Sequence, residues 1–203
     1  MKNTLGAIAI ILFIGCSQPI PYYEGLSHCE ELFNEKMEAD RARVLSGEKS
    51  KRVRKMPQCM IGVSLPEFII KTSTGEFNAN ELKGKKTILC FWESNCPPCI
   101  YRIPVYNKIM DNLGTENYNY ISIALDTEED IIKTTEKHNW NYTHALNGRA
   151  LIEDVFELNF GYPVTYLIDE DLVIRAYISS SSIEKVESGQ AYAEVLQTIR
   201  END

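Results

Sequence analysis

The chain has 203 residues, with 21 Lys+Arg against 29 Asp+Glu and a formal net charge of −8. That length fits one domain with a modest extension, and 44% hydrophobic with 25% charged residues exclude a wholly disordered chain. The acidic balance argues against a surface built to bind nucleic acid. Six cysteines are too few for a disulfide-dense scaffold, but they are enough to carry chemistry.

Met1-Lys2-Asn3 gives a short basic start, and residues 5–14 (LGAIAIILFI) are almost wholly apolar. A run of about ten residues cannot span a bilayer, which needs roughly twenty. It has the length of a signal-peptide core. Phe13-Ile14-Gly15-Cys16 resembles a bacterial lipobox, with Phe where Leu is usual. The expectation is removal of residues 1–15 and lipidation of Cys16, leaving a net charge of −9 once Lys2 is lost. A plain secretory signal and a buried N-terminal strand are the alternatives. Export would place the chain where disulfides persist. Ser17-Gln18-Pro19-Ile20-Pro21 reads as an extended tether. The absence of acidic residues just after Cys16 favours an anchor facing the periplasm.

Ser27-His28-Cys29-Glu30 fits a capping box, and Leu32, Phe33 and Met37 follow at helical spacing, predicting a helix over 27–45 ended by Gly47. Residues 49–55 (KSKRVRK) form a basic run. It is either a solvated turn or an attractor of anionic lipid or an acidic partner. Residues 64–70 and 76–78 flank Thr72-Ser73-Thr74-Gly75 and predict a hairpin. Residues 87–92 (TILCFW) read as a buried strand. A helix is predicted over 97–112, with Pro104 as a kink. Then come a strand over 118–125, a helix over 127–138, a short strand over 142–146 and a helix over 150–158. Strands over 164–169 and 172–179 pair through Glu170-Asp171, and an amphipathic helix over 183–200 closes the chain. This order predicts an α/β sandwich with a mixed sheet.

Cys96-Pro97-Pro98-Cys99 falls between a predicted buried strand and a predicted helix start. Cysteines at i and i+3 reach disulfide geometry there. Backbone N–H groups and the helix dipole stabilise a thiolate on the first, and the prolines stiffen the turn without wasting donors. Cys96 is thus the candidate nucleophile and Cys99 the resolving thiol. A zinc half-site and a structural disulfide compete with this reading. Zinc wants a second ligand pair, and His28, His138 and His144 are isolated. So short a loop gains little from cross-linking.

Residues 92–99 (WESNCPPC), with residues 161–169 (GYPVTYLID) downstream, resemble the thioredoxin fold and within it the TlpA/ResA-like thiol–disulfide oxidoreductases. Ile61-Gly62, Pro66, Phe68 and Lys83-Gly84-Lys85 are similar to the hairpin preceding that family's sheet. The resemblance covers about 61–200. It implies a thioredoxin-like mixed central sheet with flanking helices and an N-terminal β-hairpin; the additional N-terminal helix lies outside it. It also implies a cis bond before Pro163, and a substrate strand lying along the backbone of Tyr162 near Trp92. Three positions depart from the family. Cys90 stands where thioredoxins place a buried acid, either as a small hydrophobe or as a third exchanging thiol. Arg102 stands where a Glu is common; a cation there favours thiolate if it faces inward. Asn95 replaces an aromatic, and Glu93 is a candidate substitute acid/base.

Setting aside Cys16, Cys96, Cys99 and the strand residue Cys90 leaves Cys29 and Cys59 as a possible structural disulfide. Its loop of about thirty residues would gain ~3–4 kcal/mol in the chain-entropy model, though connectivity is not legible in sequence. The expected layout is a lipoprotein signal peptide over 1–15, a tether and helical extension over 16–60, and a thioredoxin-like domain over 61–203. The expected activity is disulfide exchange in the bacterial cell envelope, without metal or cofactor. Partners implied by the resemblance are disulfide- or dithiol-bearing envelope proteins, apocytochromes awaiting haem among them, and an upstream redox partner. A thiol peroxidase on the same fold, a copper(I) metallochaperone and a lipoprotein with a vestigial motif are the rival readings.

Overall fold

The computed structural model describes residues 18–178 and 182–202. Cys16 and residues 1–15 lie outside them, as does Ser179 at the end of the last expected strand.

The centre is a five-stranded sheet in the order β5-β4-β3-β6-β7. Its strands are β3 (Lys86–Trp92), β4 (Tyr118–Ala124), β5 (Thr143–Ala145), β6 (Val164–Ile168) and β7 (Ile174–Ile178). β3, β4 and β5 run parallel, while β6 is antiparallel to both β3 and β7. A separate hairpin of β1 (Ile69–Thr72) and β2 (Gly75–Asn78) precedes it. The period of two in strands sends alternate side chains to opposite faces. Ile88, Cys90 and Trp92 therefore enter one buried cluster, and Leu89 and Phe91 the other.

The first cluster is roofed by α3 (Ile103–Leu113) and α7 (Gln190–Glu201). The second is closed by the start of α1 (Tyr22–Leu45) and by Phe156, whose ring meets Tyr22, Phe68 and Phe91 edge-on at 4.8–5.6 Å. α1 begins five residues before the predicted start. Pro21 supplies a fixed φ and the first carbonyl acceptor, taking the Gly25 N–H at 3.0 Å. Ser27 is interior, and its hydroxyl donates back to the Tyr23 carbonyl instead of capping. Gly25 lies where a Cβ would come within 2.4 Å of the Val63 side chain, so α1 is pressed against the segment that leads into the domain at this point.

Three other helices differ from expectation. The predicted 97–112 helix is two pieces, α2 (Pro97–Ile100) and α3. Pro104 has no N–H to give the Ile100 carbonyl, and the chain turns at Tyr101-Arg102 before restarting. The 150–158 helix is a single turn, α5 (Gly148–Ala150), running into a π-helical stretch over Leu151–Val155. The final helix is split into α6 (Ile183–Glu187) and α7 at Gly189, whose φ of +77° only glycine holds cheaply. α4 (Glu128–Lys137) follows the expected course, with Thr127 as its N-cap.

Candidate active site

β3 ends at Trp92, and four residues on, Cys96 is the N-cap of α2. Cys96 and Cys99 are joined by a disulfide with Cα atoms 5.2 Å apart. The two sulfurs differ in access: Cys96 is 7% exposed and Cys99 1%. The backbone N–H of Cys99 donates to Cys96 Sγ at 3.2 Å. α2 is only four residues long, so the direct N–H contact, rather than the dipole of a long helix, is the local reward for negative charge on Cys96.

The loop before Cys96 is held from the neighbouring strand. Asp126, two residues past β4, accepts from the Ser94 N–H at 2.8 Å and from Ser94 Oγ at 2.7 Å. Sequence reasoning missed Asp126; its position just beyond a parallel strand beside the motif's own strand was the available signal. Asn95 is exposed and Glu93 half-buried.

β6 runs antiparallel to β3, so its first residues return to the sheet end where Cys96 sits. The Tyr162–Pro163 peptide is cis and Pro163 is buried. Tyr162 is half-buried and packs against both clusters. Burial first, and then the charge of Glu93, push its hydroxyl up to about 12, with Glu153 and Asp126 adding and Arg149 opposing. Glu93, Asp126 and Glu153 thus give this end of the sheet an acidic rim, relieved by Arg149, which pairs with Glu153 at 3.1 Å. Trp92 does not fit its expected contact with a substrate. It is 0% exposed, with its ring 5.0 Å from that of Trp140, so it forms floor rather than surface.

Behind the bridge lies a polar knot in the apolar core. Tyr106 Oη and Thr165 Oγ1 share a hydrogen bond of 2.8 Å. Cys90 is fully buried, the only free cysteine among the described residues, and pairs with Thr165 across the β3–β6 ladder. Burial pushes the Cys90 thiol up; hydrogen bonds from Thr165 and Tyr106 and the charge of Arg102 pull against it. Arg102, three residues past Cys99, is 0% exposed, with its guanidinium 5.2 Å from the Tyr106 ring centre. It faces inward, the condition on which its electrostatic influence depended. Burial also holds Tyr106 and Tyr142 well above the ordinary phenol range. No group of three or more His, Cys, Asp and Glu residues that could hold a metal ion occurs among the described residues.

Cys29 and Cys59 also form a disulfide, with Cα atoms 5.5 Å apart, far from the motif in sequence and on the opposite face of the sheet.

The model of the AhpC/TSA family matches residues 61–177. The thioredoxin-like protein YneN of Bacillus subtilis is 29% identical over 119 residues, covering 56% of this chain and 68% of its own. The thiol-disulfide oxidoreductase ResA of Bacillus cereus is 25% identical over 130 residues, covering 63% of this chain and 75% of its own. Among solved structures, the thioredoxin domain of a thiol-disulfide oxidoreductase from Bacteroides vulgatus superposes with a TM-score of 0.57 at 22% identity, over 68% of this chain and 96% of that one. That likeness establishes the thioredoxin-like fold.

Proposed function

Because this chain belongs to the AhpC/TSA family, and within the thioredoxin superfamily is a TlpA/ResA-like thiol–disulfide oxidoreductase, we propose that Cys96 exchanges disulfides with partner proteins of the bacterial envelope. The reduced pair begins with a Cys96 thiolate. It attacks one sulfur of a partner's disulfide, forming an intermolecular S–S bond as the partner's other sulfur leaves as thiolate. Cys99 then loses its proton and attacks Cys96 Sγ. The intramolecular bridge forms, and the partner departs with both its sulfurs reduced. Two electrons have moved from this chain to the partner, and an upstream dithiol partner restores them. The reverse sequence oxidises a partner dithiol.

One observation carries this reading: a bridge whose more accessible sulfur receives a backbone N–H while the other is sealed beneath it. Attack from outside is thereby directed to Cys96. Tyr162, just before β6, is the proposed seat for an extended partner segment, and Glu93 is the proposed proton relay at the rim. Arg102 is assigned as a positioning residue. When Cys99 leaves as thiolate it is buried, and an uncompensated buried charge is costly. Arg102, buried against Tyr106 and three residues past Cys99, is the cation proposed to offset that cost.

The attachment assigned to this chain is a lipid on Cys16, removal of residues 1–15, and a periplasm-facing domain over 61–203 carried on the 16–60 extension. No helix of the described residues is long and apolar enough to cross a membrane. Envelope proteins bearing CxxC pairs, apocytochromes included, are the proposed partners.

The test is covalent capture. A Cys99→Ala chain expressed in its native envelope should accumulate mixed disulfides through Cys96, to be identified after release by reductant. A Cys96→Ala chain should capture none of the same proteins; recovery of the same set would overturn the assignment of Cys96.

A further inference from the structure

α1 buries Tyr22, Gly25 and Cys29 in its first two turns and nothing thereafter. Its remaining sixteen residues extend about 24 Å, at 1.5 Å per residue, clear of the sheet. The chain then turns at Ser46-Gly47 and comes back along the helix. Asp40 accepts from Ser50 Oγ and from the Lys51 N–H, both at 2.6 Å, and Arg43 pairs with Glu48 at 2.8 Å. Nearer the root, Lys55 pairs with Glu30 and sits 5.5 Å over the Phe33 ring, and the Cys29–Cys59 bridge closes the base. The result is a braced arm, not a slack loop.

The outer part of the arm is opposite in charge to the body: residues 41–55 hold seven Lys/Arg and one acid, a net +6, while residues 30–40 of α1 hold five acids and Lys36, so that the cations gather at the arm's far end and its returning segment. The whole chain carries −8, so the other 188 residues carry −14. The arm is apolar as well as basic: Met37, Val44, Leu45 and Met56 are exposed, Leu45 to 80%. Clustered cations with exposed aliphatic side chains are the composition of surfaces that rest in a lipid headgroup layer. The arm's root also follows the N-terminal apolar run closely in sequence. Cys16 and Tyr22 are six residues apart, a reach of at most about 20 Å.

We propose that this arm docks on an anionic phospholipid bilayer. The proposal builds on the membrane attachment argued above and adds what that attachment lacks, an orientation. A lipid on a short tether leaves a domain free to tumble. The basic arm is drawn to the headgroups while the acidic body is repelled. α1 roots on the face of the sheet opposite to the cluster that holds Cys96 and Cys99. With the arm down, the redox pair faces away from the bilayer, open to soluble partners.

Trypsin reads the docking, because every cation of the arm is a cleavage site. The full lipid-bearing chain is placed on vesicles of phosphatidylcholine alone, or with about one third phosphatidylglycerol as the anionic component. Cleavage within residues 41–55 should be at least about tenfold slower on the anionic vesicles, and the protection should vanish near 0.5 M salt, where screening acts within ~5 Å. Replacing Lys49, Lys51, Arg52 and Arg54 by Gln should return cleavage at Arg41 and Arg43 to its rate on neutral vesicles. Equal rates on the two vesicle types would overturn the proposal, as would protection that survives the four substitutions. Protection by soluble polyglutamate but not by phosphatidylglycerol would overturn it in favour of an acidic polypeptide. Flotation with neutral vesicles reports the lipid anchor separately, so loss of the anchor and failure of the arm give different results.

Discussion

Among the described residues two disulfides lie on opposite faces of one sheet, and their contrast shows how loop length and burial divide structural sulfur from chemical sulfur. Cys29–Cys59 closes a separation of 30 residues and sews α1 to the segment that enters the sheet. Cys96–Cys99 closes a separation of three. In the chain-entropy picture the first removes much freedom from the unfolded chain and the second very little. The second instead leaves one cysteine slightly accessible, its sulfur against a backbone N–H, and seals the other beneath it. One bridge is worth having because it stays closed, the other because it opens.

The sharpest way to break this contrast is to exchange the roles. Cys96→Ala should lower the rate of partner disulfide exchange by at least about a thousandfold, since the attacking thiolate is gone. Its thermal midpoint should change little. An insulin-reduction or model-disulfide assay, with a melting curve on the same sample, checks both halves. A marked loss of stability would mean that the short bridge is structural after all.

The converse is the Cys29→Ala/Cys59→Ala double variant. It should lose about 3–4 kcal/mol of folding stability, the entropy of a loop of that length, and keep exchange activity below its lowered midpoint. Denaturant melts measure the first and the same exchange assay the second. Full stability with failed exchange would reverse the contrast.

Next in size is Arg102→Leu, which keeps much of the volume and removes the charge. Without the cation, a thiolate on Cys99 is disfavoured, so its pKa rises and the pH profile of alkylation in a Cys96→Ala background moves to higher pH. At neutral pH the rate should fall about tenfold, the equivalent of one pKa unit or ~1.4 kcal/mol. A purely structural arginine would lower stability and leave the profile where it was. Cys99 should regain the profile with Arg102→Lys if the cation, and not the fork of the guanidinium, is what matters.

Much of this was legible in residues, because some signals are local and strong. The apolar 87–92 run dictated the central strand, and the spacing of Cys96 and Cys99 at its end marked the site. Glu170-Asp171 marked the turn between the last two strands. Other features depend on what the chain meets in space. Ser27 and Glu30 satisfy a capping pattern, yet the helix starts at Tyr22, because that ring finds Phe156, 134 residues away. Trp92 borders the motif in sequence, but strand alternation turns it inward onto Trp140. Pro104 was correctly placed as a disruption, though its cost is a break rather than a bend. Arg102 could not be assigned an orientation, because the break at residues 101–102 is what turns it into the core.

Cys90 offers the finest test of the division, since it shares neither loop length nor access with either bridge. Burial pushes its thiol up in the folded state. The folded chain therefore holds that proton at a pH where the unfolded chain has released it. Protons are then bound more by the native state, and stability falls as pH rises above the ordinary thiol value near 8.5. The four disulfide cysteines do not titrate while oxidised. Buried tyrosines, Tyr106 and Tyr142 among them, are raised as well and add to the loss as pH nears 10, so the part of the slope that disappears in Cys90→Ala, about 1–2 kcal/mol between pH 8.5 and 10, is what reports the thiol. Cys90→Ala lowers stability at neutral pH through the lost packing of one buried sulfur, but it should flatten this alkaline slope. If urea melts of the oxidised variant keep the wild-type slope, the thiol is not shielded as its burial requires, and a third sulfur would have to be counted with the reactive pair.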